Sequence, residues 1–159
     1  MHEFRRRIYP GIRPILRDFR AILARRDLIR SAMRDGLHPA FRERLMLVVT
    51  DVNGCRYCSY VHAREALAAG IPREQVEDLA AMFDGCPAHE APALLYAQHW
   101  AEVDGQPDPE VRRCVQQRYG EEQLEQIETV LRMIRMGNLL GNTADYLLYR
   151  ISFGRWGGR

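Results

Sequence analysis

Apolar side chains recur every three or four positions along most of the chain, the spacing that places them on one face of an α-helix. In the first 36 residues this spacing predicts one helix, with Pro14 in its first turn and Gly36 at its end. A second helix is predicted from about Pro39, and its last turns are apolar on all sides, so we expect them to be buried. Asn53 and Gly54 interrupt this second helix.

Five more helical segments follow, separated by glycine and proline residues. Four of them are predicted over residues 55–69, 72–83, 91–103 and 121–149. The other follows the loop at residues 105–109 and ends at residue 119. Gly137 and Gly141 are candidate positions for bends in the last helix. No segment alternates with the period of two that a β-strand shows, so the predicted fold class is all-α.

The length of 159 residues predicts a single domain, residues 1–159, and the composition of 47% hydrophobic and 28% charged residues is that of a globular protein. We divide it into an Arg-rich N-terminal helix (1–36), a core (about 39–83) and C-terminal helices (88–150). The longest stretch without a charged residue has eleven residues, well short of the ~20 that a membrane-spanning helix needs. No apolar run follows the N-terminal arginines, so we expect neither a secretory signal nor a membrane span, and a cytoplasmic location.

All 23 basic residues are arginines, and their distribution is uneven. Residues 1–35 hold ten arginines against four acidic residues, a net charge of +6, whereas residues 65–130 hold four against fourteen, a net charge of −10. The N-terminal arginines surround the polar side of an amphipathic helix, and no recognition motif accompanies them. We therefore expect no nucleic-acid partner.

Two of the four cysteines, Cys55 and Cys58, directly follow the Asn-Gly break and so lie in the first turn of a helix. Unpaired backbone amides and the helix dipole stabilise a thiolate there, but by at most about one pKa unit. A nearby base or cation is therefore needed to activate the thiol. His62 lies four residues after Cys58, on the same helix face, and can supply it.

Glu43 is the next candidate residue, because it lies about as far before the Asn-Gly break as His62 lies after it. If the Asn-Gly break makes the two helices antiparallel neighbours, Glu43 lies ten residues before the turn and His62 eight after it. At 1.5 Å per residue, their heights differ by only about 3 Å. The predicted arrangement is a line from Glu43 through His62 to Cys58, with Cys55 one turn away, where it can form a disulfide.

A zinc site is the alternative interpretation. Cys55 and Cys58, combined with a CxxH pair formed by Cys86 and His89, provide four ligands that zinc accepts. The chain would then be a zinc-stapled helical interaction domain rather than an enzyme, and His62 would have no role.

The spacing Glu43, eleven residues, Cys55, two residues, Cys58, three residues, His62 resembles that of the AhpD-like alkylhydroperoxidases, in the carboxymuconolactone decarboxylase superfamily. Residues 66–79 are also similar to the core of that family. The resemblance implies an all-α, AhpD-like helical fold with the CxxC at the start of a core helix. It also implies a thiol-dependent peroxidase or dithiol-disulfide oxidoreductase, an antioxidant enzyme.

By the same resemblance, Cys58 is the attacking thiol, Cys55 the resolving thiol, and Glu43 and His62 form the proton relay. Tyr57 stands between the two cysteines, where the founding member of the family has a histidine. The implied substrate is a hydroperoxide and the implied reductant is a dithiol or a protein electron donor, with no cofactor and no bound metal.

Assembly is expected as well, because the family forms trimers or larger oligomers. The apolar stripe between Leu124 and Phe153 is wider than one intramolecular face requires. Together with the opposite charges of residues 1–35 and 65–130, it predicts a homo-oligomer, a trimer or a hexamer. The first and last helices are expected to form its contacts.

Overall fold

The computed structural model describes residue 4 and residues 6–157, and these residues fold as helices and connecting loops without a strand. The helices are α1 (Ile12–Ala24), α2 (Arg26–Ser31), α3 (Pro39–Asn53), α4 (Arg56–Ala68), α5 (Arg73–Glu77), α6 (Leu79–Gly85), α7 (Ala91–Glu102), α8 (Pro109–Tyr119) and α9 (Glu121–Ile151). A π-helical turn over Ala32–Gly36 joins α2 to α3. The predicted all-α class is confirmed. Across the described part of the chain, no helix combines the length and apolarity that a membrane span requires.

Two predicted helices are each divided in the structure. The single helix predicted for the first 36 residues breaks at Arg25, whose φ of −105° and ψ of 17° are not helical. The helix predicted over 72–83 breaks at Asp78, which is extended and whose carboxylate accepts the Ala80 N–H at 2.9 Å. Asp78 therefore begins α6 as an N-cap, a role its residue type favours.

The final helix is not divided. It continues without a break through Gly137 and Gly141, the two candidate positions for bends, for 31 residues in all. At 1.5 Å per residue, it is about 46 Å long and extends along much of the fold.

The centre of the fold is α3, which packs against α4, α7 and α9. Leu45, Val48 and Val49 on this helix have no exposed surface. Burying side chains of this size contributes roughly 1.5–3 kcal/mol each, so the apolar run of α3 stabilises the position of the turn that follows it.

The N-terminal segment before α1 lies along the C-terminal half of α9. Asn142 donates from Nδ2 to the carbonyl oxygen of Arg7 at 3.0 Å, and the Tyr9 N–H donates to Oγ1 of Thr143 at 3.0 Å. This half of α9 therefore lies between the N-terminal segment and the α3–α4 turn, which it also contacts.

Candidate active site

The turn between α3 and α4 is built by two residues with different backbone requirements. Gly54 closes α3 with φ of 68°, a left-handed conformation that glycine adopts without strain. Cys55 follows as the N-cap of α4, and its sulfur accepts the N–H of Cys58 at 3.4 Å. The Asn-Gly pair in the sequence thus places the CxxC in the first turn of a helix, as predicted.

Glu43 and His62 are joined across the two helices of this hairpin. Nδ1 of His62 lies 2.8 Å from Oε2 of Glu43, and Glu43 is only 5% exposed. Nε of Arg42 lies 3.7 Å from the other carboxylate oxygen. With Nδ1 donating to the carboxylate, Nε2 is the ring nitrogen left for chemistry. The contact predicted from helix heights is present.

The two thiols lie side by side. Sγ of Cys55 is 2.8 Å from Sγ of Cys58; Cys55 is fully buried, whereas Cys58 is half-buried. The hydrogen bond between the thiols lowers the pKa of Cys55 to about 6, and the backbone amides of the first turn act in the same direction. The same hydrogen bond, with burial, raises the pKa of Cys58. The first proton therefore leaves the pair below neutral pH, and Cys55 carries the resting charge.

The link from His62 to the thiols is not a direct hydrogen bond. Among the described residues, His62 bonds to Glu43 and to neither cysteine. His62 follows Cys58 by four residues on α4, which places the two side chains on one face. In the predicted line, Glu43 and His62 are therefore joined by a hydrogen bond, whereas His62 and Cys58 only share a helix face.

Sequence reasoning missed the contribution of α9 to this site. A β-carbon at Gly141 would lie 3.0 Å from Sγ of Cys55, so a glycine there lets the helix backbone approach the thiol without displacing it. The next residue, Asn142, donates from Nδ2 to the carbonyl oxygen of Asn53 at 2.8 Å and ties α9 to the end of α3.

Asp145 is the other missed residue, with no exposed surface and three donors on its carboxylate. Arg56 and the hydroxyl of Tyr57, both within the CxxC, donate to Oδ1 at 2.8 Å and 2.9 Å. Arg6, from the N-terminal segment, donates to Oδ2 at 2.5 Å. Tyr57 is thereby turned towards α9.

A signal for the α9 residues was present in the sequence. Asn138, Asn142 and Asp145 are polar and recur at helical spacing, and all three are fully buried within an otherwise apolar stripe. Buried polar residues on a core-facing stripe indicate specific partners. Only their partners could not be identified from spacing.

The donors of the proposed zinc site do not converge. Over the described residues, no group of three or more His, Cys, Asp or Glu side chains lies close enough together to hold a metal ion. Cys86 instead donates to the carbonyl oxygen of Phe83 at 3.3 Å, and Cys114 is exposed on α8. The zinc-stapled alternative therefore lacks its four-ligand cluster.

Comparison with known proteins identifies one family. The model of the carboxymuconolactone decarboxylase family matches residues 19–103, more than half of the chain, and this range includes Glu43, Cys55, Cys58 and His62. No curated protein and no solved structure matches the chain. The family model and the all-α fold agree with the motif spacing. The chain belongs to the carboxymuconolactone decarboxylase family.

Proposed function

We propose that the chain is an AhpD-like, thiol-dependent peroxidase that reduces hydroperoxides through Cys55 and Cys58. The observation that carries the proposal is that two thiols 2.8 Å apart lie on the same helical hairpin as a histidine hydrogen-bonded to a buried carboxylate. A pair of free cysteines at this distance needs only a small movement to form a disulfide of ~2.05 Å. A structural role for the thiols would not require the Glu43–His62 pair.

Access and charge favour different sulfurs as the point of attack. Cys55 carries the resting negative charge but is fully buried behind α9, whereas Cys58 is partly exposed. We assign attack to Cys58, because a peroxide must reach the sulfur. The shared proton passes to Cys55 when substrate arrives, leaving the thiolate on Cys58.

In the first step, the Cys58 thiolate attacks one oxygen of the hydroperoxide. A sulfur–oxygen bond forms as the O–O bond breaks, which yields a sulfenic acid on Cys58 and an alkoxide. His62, carrying a proton on Nε2, protonates the alkoxide to the alcohol. Glu43 holds the ring in position through Nδ1.

In the second step, neutral His62 accepts the proton of Cys55, and the Cys55 thiolate attacks the sulfenic sulfur. The disulfide forms as hydroxide leaves, and hydroxide takes the proton from His62 to give water. The dithiol has then lost two electrons and the hydroperoxide has gained them. A dithiol donor, free or on a protein, reduces the disulfide and completes the cycle. Such recycling requires a reducing compartment, and we place it in the cytosol.

A thiol count tests this cycle. In a variant with Cys86→Ser and Cys114→Ser, one equivalent of tert-butyl hydroperoxide should remove both remaining thiols, and a dithiol should restore them. When Cys58→Ser is added to this variant, peroxide should no longer remove two thiols together. An unchanged thiol count after peroxide would refute the proposal, and stoichiometric zinc in the purified wild type would support the stapled alternative.

Capture of sulfenic acid tests the assignment of the two roles. In the same background, dimedone should label Cys58 rapidly in the Cys55→Ser variant, where no resolving thiol is left. It should label Cys55 slowly in the Cys58→Ser variant, because the sulfur is buried. Faster labelling of Cys55 would reverse the roles.

We also propose that copies of the chain associate through α1. Its most apolar side chains are 48–70% exposed, and they are Ile12, Leu16, Phe19 and Leu23. At 100° per residue these positions form one stripe, and none of the α1 residues is fully buried. A second copy that covers this stripe would remove it from water, which favours a homo-oligomer, and a trimer or a hexamer stays a prediction.

A further inference from the structure

A groove of about 360 Å³ lies between α1, α9 and the loop after α7, apart from the thiols. It is open to solvent on one side, and it is lined by Arg17 and Ile22 on α1, by Arg25 at the break after α1, and by Arg132 and Arg135 on α9. At 100° per residue, Arg17 lies about 130° around α1 from the centre of the exposed apolar stripe, and Ile22 about 90°. The groove and the stripe therefore lie on different faces of α1.

Positive charge exceeds negative charge in this groove. Its four arginines face two carboxylates, those of Asp18 and Asp104. Arg135 pairs with both, at 2.9 Å and 2.6 Å, and Arg17 also lies 3.5 Å from Asp18. Arg132 lies 3.8 Å from Glu128, a carboxylate outside the groove that Arg112 also binds, at 2.8 Å. Arg25 donates to the carbonyl oxygen of Ala21 and pairs with no carboxylate among the described residues. The carboxylates that line the groove therefore leave two of its four guanidinium charges unbalanced, and Glu128 offsets that of Arg132 only in part.

Trp100 lines the same groove with an unused donor. It is 1% exposed, and its Nε1 is buried without a hydrogen-bond partner in the described part of the chain. A buried donor left unpaired is unfavourable, and an acceptor on a ligand would satisfy it. The guanidinium of Arg132 lies 5.7 Å from the centre of the ring and marks where the positive charge meets the aromatic surface.

From this arrangement we propose that the groove binds a small organic anion with a carboxylate or phosphate group. The anionic group lies between Arg25, just after α1, and Arg132 on α9, because guanidinium groups hold both kinds of oxyanion in bidentate fashion. One of its oxygens accepts from Nε1 of Trp100, and the apolar part of the ligand lies against Ile22. The site is separate from the peroxidase chemistry and goes beyond it.

Titration of tryptophan fluorescence tests this site. In a Trp156→Phe variant Trp100 is the only tryptophan, and we expect a saturable signal change with phenyl phosphate or with benzoate at constant ionic strength. The two probes tell a phosphate ligand from a carboxylate ligand. Benzyl alcohol, which lacks the charge, should give no saturable change, and inorganic phosphate should bind several-fold more weakly. Equal binding of either control would overturn the proposal.

Charge variants locate the binding. Arg25→Gln and Arg132→Gln should each raise the Kd of the tighter probe about tenfold, equivalent to about 1.4 kcal/mol, since each removes a charge-assisted hydrogen bond to the anion. Arg113→Gln on α8 removes an exposed arginine outside the groove and should leave the Kd unchanged. Cys58→Ser should also leave it unchanged, whatever the outcome of the peroxidase tests. Equal weakening by Arg113→Gln, or the absence of saturation with both probes, would refute the site.

Discussion

Gly141 of α9 faces Cys55 so closely that a β-carbon added at position 141 would lie 3.0 Å from the sulfur. A β-carbon added at Gly137, one turn earlier on the same helix, would meet no neighbouring atom within 4 Å. The long helix thus uses one of its two glycines to pack against a thiol. Substitutions at the two glycines can therefore separate the effect of helix propensity from the effect of contact with the thiol.

Gly141→Ala should disturb the thiol pair while changing stability little. The added methyl group must push the Cys55 sulfur aside, which weakens its hydrogen bond to Cys58. The pKa of Cys55 should then rise from about 6 towards its ordinary value. The helix gains up to about 1 kcal/mol from replacing glycine, which offsets part of the clash. Thiolate absorbance against pH and thermal unfolding measure the two effects.

Gly137→Ala is the matched control. It should raise the free energy of unfolding by about 0.5–1 kcal/mol, since the new methyl group meets nothing. The thiol titration should match that of the wild type. A shift of equal size in both variants would show that α9 affects the thiols through its rigidity rather than through contact.

The thiol pair should ionise below neutral pH. In the Cys86→Ser, Cys114→Ser background, thiolate absorbance should appear with a midpoint near pH 6, because the lowered pKa of Cys55 leaves the thiolate present above that pH. Cys58→Ala removes the partner sulfur and should move the midpoint upward by at least one unit. A midpoint above pH 8 in the protein with both cysteines would contradict the hydrogen-bonded pair.

The histidine-carboxylate pair should matter for turnover. His62→Ala should lower kcat/KM for hydroperoxide about 100-fold, since a positioned proton donor contributes roughly that much or more. Glu43→Gln should cost about tenfold, because the amide still contacts Nδ1 but no longer balances a charged imidazole. His89→Ala is the control, as that side chain is exposed. Wild-type rates in His62→Ala would remove the relay from the mechanism.

The buried carboxylate of Asp145 should influence both the pKa of Cys55 and the stability of the fold. The negative charge of its carboxylate acts to raise the pKa of Cys55, so Asp145→Asn should lower that pKa below its wild-type value. Loss of the charge also weakens the bonds from Arg56 and Arg6, and we expect about 2 kcal/mol less stability. Asp51→Asn, at an exposed position on α3, should change neither quantity. An unshifted thiol titration in Asp145→Asn would exclude the electrostatic role.

Association should depend on the apolar stripe of α1. Leu16→Glu and Leu23→Glu each place a charge on the stripe, and light scattering should then report a mass near 18.5 kDa. Leu95→Glu, at an exposed apolar position on α7, should retain the mass of the wild type. A wild-type mass near 18.5 kDa at micromolar concentration would refute the assembly itself.

Local rules were sufficient for the helical hairpin and for the contact between Glu43 and His62. The Asn-Gly break, the rise of 1.5 Å per residue and the i, i+4 rule together predicted that Glu43 would reach His62, and the atoms lie 2.8 Å apart. Nothing beyond the two helices enters this relationship. It could therefore be inferred from residues 43–62 alone.

The break at Asp78 shows how a local signal can be outweighed by apolar spacing. Aspartate before a helix is a recognised N-cap, yet the periodic apolar residues around it predicted one continuous helix. The break at Arg25 has no such signal, because Arg25 precedes α2 without an N-cap side-chain hydrogen bond.

Only the tertiary structure decided what α9 does at the site. Asp145 meets Arg56 across 89 positions of sequence, and Gly141, which looked like a bend, proved to be a close contact. Such pairings depend on the angle and register at which a long helix packs, and these are set by the whole core at once. The sequence alone thus determined the position of the two cysteines and the pairing of Glu43 with His62, whereas the packing of α9 determined how deeply Cys55 is buried.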